Sequence, residues 1–146
     1  MELCKCKNKI LINKIEFIDR LIIFSFLFIA SFSPILLLDN SIALKITKGG
    51  DIYIFNNNQI STCKYTGPYP IAIYINGDRQ DAVKSQYSFS ASIDNVVILN
   101  FGSKIITTSC LFSNCTNITE IDLSNFDSSD VQDTSYMFDH CTSLYN

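Results

Sequence analysis

One histidine, His140, and five glycines are all that this chain of 146 residues holds of two residue types on which much enzyme chemistry rests. No Gly-x-Ser-x-Gly, no His-x-x-x-His and no glycine loop able to cradle a phosphate accompanies that histidine, and the acids are dispersed rather than paired. The chain therefore reads as a non-enzyme, with no catalytic residue, no cofactor and no metal. Positive charge is scarce as well. Lys5, Lys7, Lys9, Lys14 and Arg20 precede an apolar segment, and only six basic residues follow it, against ten acids from Asp51 to Asp139. The net charge of −4 from Leu44 onward argues against an electrostatic nucleic-acid binder.

What the chain does have is an uncharged apolar run from Leu21 to Leu38. Its eighteen residues are long for the core of a signal peptide and just enough for a membrane helix of about 18 to 20 residues. Ser41-Ile42-Ala43 offers small residues where a signal peptidase cuts, so cleavage after Ala43 releases a soluble chain beginning at Leu44. If the run stays uncleaved, its basic flank holds it as a single-pass anchor and the remainder faces outward. A buried core helix is the third reading. The first two export the rest of the chain, giving a basic leader over 1–20 and a signal core or anchor over 21–43.

A phrase recurs downstream. Ile93-x-x-Val96-x-Ile98-x-x-Phe101 returns 25 residues later as Ile118-x-x-Ile121-x-Leu123-x-x-Phe126, and a third copy opens at Leu144. Between them, the run from Ser109 to Ile118 aligns with that from Ser135 to Leu144 and keeps its Ser, Phe, Cys and Thr. A fixed period of this size predicts a solenoid, in which apolar residues of one unit are covered only by the next. The expected repeat core is Ile93, Val96, Ile98, Phe101, Phe112, Cys115, Ile118, Ile121, Leu123, Phe126, Phe138, Cys141 and Leu144. Upstream, residues 44–92 read as short strands, with Asn76-Gly77-Asp78 marking a hairpin turn, and form a β-rich cap for the first unit.

The words Leu111-Phe112-x-x-Cys115-x-x-Ile118-x-x-Ile121-Asp122-Leu123-Ser124-Asn125-Phe126-Asp127, followed by Tyr136-Met137-Phe138-x-x-Cys141-x-x-Leu144, resemble the BspA-type leucine-rich-repeat surface proteins, a family that includes mycoplasma-lipoprotein repeats of unassigned function. The resemblance covers roughly 93–146. It implies a mainly β fold, a short leucine-rich-repeat solenoid of one complete and two partial or degenerate units. It also implies a secreted or cell-surface protein, often adhesive, whose partner is an extracellular protein. In such an arrangement Asp94, Asn95, Val97, Thr119, Glu120 and Asp122 lie side by side on one sheet face as the binding surface. A solvated surface without a ligand is the rival, as is a structural membrane-tethered protein or a receptor ectodomain. The chain ends two residues into its third phrase, which reads as a fragment of a longer repeat protein or as an open end covered by self-association.

Cys115 and Cys141 share a repeat column and are expected as buried thiols, with a disulfide as the rival. Cys110 departs from the repeat, since Tyr136 is its equivalent, and with Cys63 it makes a candidate disulfide in an oxidising compartment. Four cysteines allow three pairings, and the choice stays open. Asn114-Cys115-Thr116 and Asn117-Ile118-Thr119 are glycosylation sequons, meaningful only in a eukaryote. Asp127, Asp130 and Asp133 recur every third residue, whereas a calcium loop needs alternate positions and a glycine, so they read as a solvated loop.

Overall fold

The computed structural model describes residues 40–145, which belong to one compact unit. Seven strands run in chain order: β1 (Ser41–Ile46), β2 (Gly50–Tyr53), β3 (Ala72–Ile75), β4 (Asp78–Arg79), β5 (Gln86–Phe89), β6 (Asn95–Asn100) and β7 (Glu120–Asp122). Five form a sheet in the order β4-β3-β6-β1-β7, and β2 pairs with β5 in a second, two-stranded sheet. Every named strand pair is antiparallel. Among the described residues there is no helix, and none therefore long and apolar enough to cross a membrane.

Alternation builds the larger sheet. Ile42, Leu44 and Ile46 of β1 point to one buried face and Ala43 and Lys45 to the other, the period of two that a strand imposes. Ile42 faces Leu99 and Leu44 faces Val97 across the β1–β6 pair, and the same two residues face Ile73 and Ile75 on the far side. Cross-strand apolar pairs of this kind are the unit of sheet stability. The β3–β4 hairpin turns on Asn76 (φ 52°) and Gly77 (φ 92°), two successive left-handed residues, which is the turn that matches the twist of its strands.

The expected leucine-rich-repeat solenoid is overturned. In a solenoid, successive phrases are adjacent parallel strands, yet β6 and β7, the two phrase strands, do not touch: β1 lies between them, antiparallel to both. The third phrase, at Leu144, forms no strand. Electrostatics supply one reason for the insertion. Adjacent phrase strands would crowd Asp94 and Glu120, whereas β1 brings Lys45 between them, with Nζ 3.2 Å from Asp94 and 3.1 Å from Glu120. The expected cap does not stand apart either. β1 and β3 flank β6, so 44–92 and 93–146 share one sheet. The hydrophobic helix expected over 21–38 lies outside the described residues. The cut expected after Ala43 falls inside β1, where Ala43 pairs with Ile98 on one side and Asp122 on the other.

Beyond the sheet, two turn layers run side by side. The first, 107–118, and the second, 133–144, begin at a parallel bridge between Thr107 and Asp133. Thr108, Cys110, Phe112 and Asn114 then donate their N–H groups to the carbonyls of Asp133, Ser135, Met137 and Asp139 at 2.9 to 3.0 Å. Each layer bends at the same two columns, Cys110 and Asn114 in one, Tyr136 and His140 in the other, all with φ between 55° and 64°. Phe112 and Phe138 stack across the layers with rings 5.9 Å apart and 3° from parallel. The opposite side of the first layer is covered by the segment around Asn56 and tied by a disulfide between Cys63 and Cys110.

Candidate functional site

The expected binding face does not assemble. Asn95, Val97 and Thr119 are buried. The Asn95 amide donates to the carbonyls of Ser90 and Ile93 at 3.0 and 3.1 Å, Val97 sits in the core facing Leu44, and Thr119 Oγ1 donates to the Lys45 carbonyl at 3.0 Å. These are structural roles. Asp94, Glu120 and Asp122 reach the surface, but the first two converge on Lys45, whose pKa is raised by its hydrogen bond to Glu120 and then by that to Asp94. Asp122 accepts from Ser124 N–H at 2.8 Å.

The expected repeat core is also divided. Ile98, Phe101, Phe112, Cys115 and Ile118 are buried, and Ile121, Phe126, Cys141 and Leu144 are half-buried against the core. Ile93, Val96, Leu123 and Phe138 are instead exposed. For Val96 the cause is register: in β6 Val97 and Leu99 point into the core cluster, so Val96 lies on the opposite face.

Around the first turn layer the polar groups are committed. Asn56 is fully buried; its N–H donates to the Leu111 carbonyl at 2.8 Å, and its amide donates to the carbonyls of Cys63 and Cys110 at 2.9 and 3.2 Å. Asn114, a sequon asparagine, donates its amide to the Ile60 carbonyl at 2.6 Å. Asn117 is half-buried next to the fully buried Ile118. Cys115 and Cys141 are free thiols, Cys115 buried and Cys141 half-buried with its Sγ on the Phe112 carbonyl at 3.1 Å. Burial pushes both thiols up, Cys141 to about 11.

The aspartates of the connecting loop each hold a neighbour. Asp127 accepts from Ser129 N–H at 3.0 Å and Asp133 from Ser135 N–H at 2.9 Å, while Asp130 pairs with Lys104 at 2.6 Å. No cluster suited to a metal ion occurs among the described residues. His140 pairs with Asp139 at 2.8 Å beside an open cleft of about 450 Å³ that Gln59–Thr62 and Asn114 complete.

Two exposed aromatic residues lay outside the expected site. Tyr136 is 69 % exposed and Tyr145 65 %, and with Phe138 they stand on the second turn layer or at its end. The repeat placed Tyr136 in the column of the buried Cys110, which hid its exposure. The outer edge of this layer carries the N–H groups of Thr134, Tyr136, Phe138 and His140, counterparts of the four donors that bind the two layers together. Among the described residues these four find no acceptor. Exposed aromatics and these four donors therefore lie together on the second turn layer.

Compared with protein-family models, with curated proteins and with solved structures, the chain finds no match.

Proposed function

We propose that this chain is a secreted or membrane-anchored surface protein whose described unit binds an extracellular protein, in the manner of an adhesion module. The carrying observation is the outer edge of the second turn layer, where Tyr136, Phe138 and Tyr145 are exposed alongside four backbone donors that find no acceptor among the described residues. Aromatic residues that are exposed in the free protein and supply large contact area at low entropic cost are the usual anchors of protein interfaces. The Cys63–Cys110 disulfide supports export, because such bonds persist in oxidising compartments and are rare in the cytosol. The apolar run from Leu21 to Leu38 and the resemblance to BspA-type surface proteins point the same way.

The test is a binding screen of the purified full-length chain, in mild detergent, against a broad panel of extracellular proteins. Saturable binding to at least one of them is expected. Replacing Tyr136 and Tyr145 together by serine should weaken it by roughly tenfold or more, the ordinary loss for a truncated aromatic anchor. No binding across the panel refutes the proposal.

A further inference from the structure

The second turn layer is a copy of the first in its backbone, and this determines what its free edge accepts. In each layer the same positions close internal turns: Leu111, Ser113 and Cys115 N–H bond to Thr108, Cys110 and Phe112 carbonyls, as Met137, Asp139 and Cys141 N–H bond to Thr134, Tyr136 and Phe138 carbonyls. Ser109 and Ser135 N–H stay within their layers, on Thr107 Oγ1 and Asp133 Oδ1, and four N–H groups of each layer are left over from its internal turns. In the first layer those of Thr108, Cys110, Phe112 and Asn114 meet the carbonyls of the second. In the second layer their counterparts, on Thr134, Tyr136, Phe138 and His140, face outward in the same order and have no acceptor among the described residues. An unpaired backbone edge is a template for another chain.

This edge consists of donors, so its partner must present acceptors. A second copy of the chain does not fit. A twofold pairing would set donors against donors, and a head-to-tail pairing needs the carbonyl side of the first layer. That side is covered by the segment 56–67: Asn56 N–H occupies the Leu111 carbonyl, Ser61 Oγ lies 2.8 Å from Ser113 Oγ, and Gly67 lies against the Thr107 carbonyl. Charge narrows the partner further. From Ile105 to the end the sequence holds Glu120, Asp122, Asp127, Asp130, Asp133 and Asp139 and not one lysine or arginine. From elsewhere Lys45 reaches Glu120, Lys104 reaches Asp130, and Lys48 reaches Ser143, which leaves the region acidic.

Resting on the protein-binding reading above, we propose that the outer edge of the second turn layer pairs with a lysine- or arginine-bearing polypeptide segment that presents its carbonyls on one side, as the second layer does to the first. The carbonyl oxygens of that segment accept from the N–H groups of Thr134, Tyr136, Phe138 and His140. Its apolar side chains pack on Tyr136 and Phe138, and its cations lie among Asp133, Asp139 and Glu120. Backbone pairing gives the affinity, and the acidic surround selects basic over acidic segments.

The experiment uses the full-length chain in mild detergent and, as probe, a short fluorescent peptide of alternating lysine and valine, with a glutamate–valine peptide as its counterpart. Anisotropy should show saturable binding of the lysine peptide, weakened by salt, and little binding of the glutamate peptide. Amide hydrogen exchange should slow at Thr134, Tyr136, Phe138 and His140 when the lysine peptide is added. Thr134→Pro removes one outward donor. It is compatible with the fold because the Thr134 N–H is unused within the protein and the preceding Asp133 is extended in its bridge. The loss of one hydrogen bond lowers affinity roughly threefold to tenfold, and more than Thr134→Ala, which keeps the donor.

Equal binding of the two peptides overturns the proposal. So does protection confined to other amides, or slow exchange of these four in the free chain; the exchange readout decides even if Thr134→Pro fails to fold. A panel protein that binds while these four amides exchange freely overturns the edge pairing but leaves the binding reading standing. Failure of the whole panel removes that reading as well.

Discussion

Reduction of the Cys63–Cys110 bridge opens a loop whose ends are 47 residues apart in sequence. In the chain-entropy account, closing a loop of that length removes about 4 kcal/mol of freedom from the unfolded chain. The native side of the balance should change little. Cys110 is buried with its N–H on the Ser135 carbonyl, and the Asn56 amide holds the carbonyls of both cysteines, so these contacts survive when the sulfurs part. A loss of about 4 kcal/mol is large against the roughly 5 to 15 kcal/mol that stabilise a typical domain. At a urea slope of about 1 to 2 kcal/mol per molar, the unfolding midpoint should fall by about 2 to 4 M. The assay is urea unfolding of the full-length chain followed by circular dichroism, with and without dithiothreitol. The Cys63→Ser, Cys110→Ser double variant should behave like the reduced protein and ignore the reductant. Cys115→Ser should keep the full response, because Cys115 is a buried free thiol outside the bridge. A reductant shift below about 0.5 M, or its loss in Cys115→Ser, would refute the reasoning, since either result means that this loop is not what the bond constrains.

Asn56→Asp replaces a doubly donating amide with a carboxyl facing the carbonyls of Cys63 and Cys110. At about 1 to 3 kcal/mol for each buried group left unsatisfied, the variant should lose about 3 kcal/mol or more at neutral pH. Burial and those carbonyls raise its folded-state pKa above the unfolded value, so the deficit grows as pH rises past the unfolded value and shrinks in acid. Denaturant midpoints that show no such pH dependence relative to the parent would count against it. Asp127 and Asp133 are held below the usual carboxylate range, first by the side chains of Ser129 and Ser135 and then by their N–H groups. A depressed folded-state pKa contributes stability above the unfolded value that is lost as pH falls through the folded one. Melting temperature should therefore drop in acid, and less steeply in Asp127→Asn with Asp133→Asn. An identical acid profile would be the contrary result.

Local features were legible where one residue's conformational preference decides the outcome. Asn76-Gly77 announced its hairpin because these residues tolerate positive φ. The column comparison set Cys110 apart from Cys115, and the structure bonds Cys110 to Cys63. The 26-residue offset of the sequence reappears in the paired turn layers, down to the left-handed columns at Cys110 with Tyr136 and Asn114 with His140. The binding face was misread, because phrase anchors such as Val96 were assigned inward while the sheet buries Val97 and Leu99 in its main core. β1 was missed for another reason: Ser41-Ile42-Ala43 matches a processing site as well as half of a strand, and short apolar runs carry both meanings.

By itself, then, the sequence determined the positions of the turns, the spacing between similar segments, the acidic balance of the last third and the scarcity of catalytic groups. These follow from backbone preferences and residue chemistry, which each position carries with it. Only the tertiary structure decided that β1 separates β6 from β7, that Asn95, Val97 and Thr119 are buried, and that four N–H groups of the second turn layer have no acceptor among the described residues. A strand edge accepts any partner until cross-strand pairs such as Ile42 with Leu99, and ion pairs such as Lys45 with Glu120, make one neighbour more favourable than the rest.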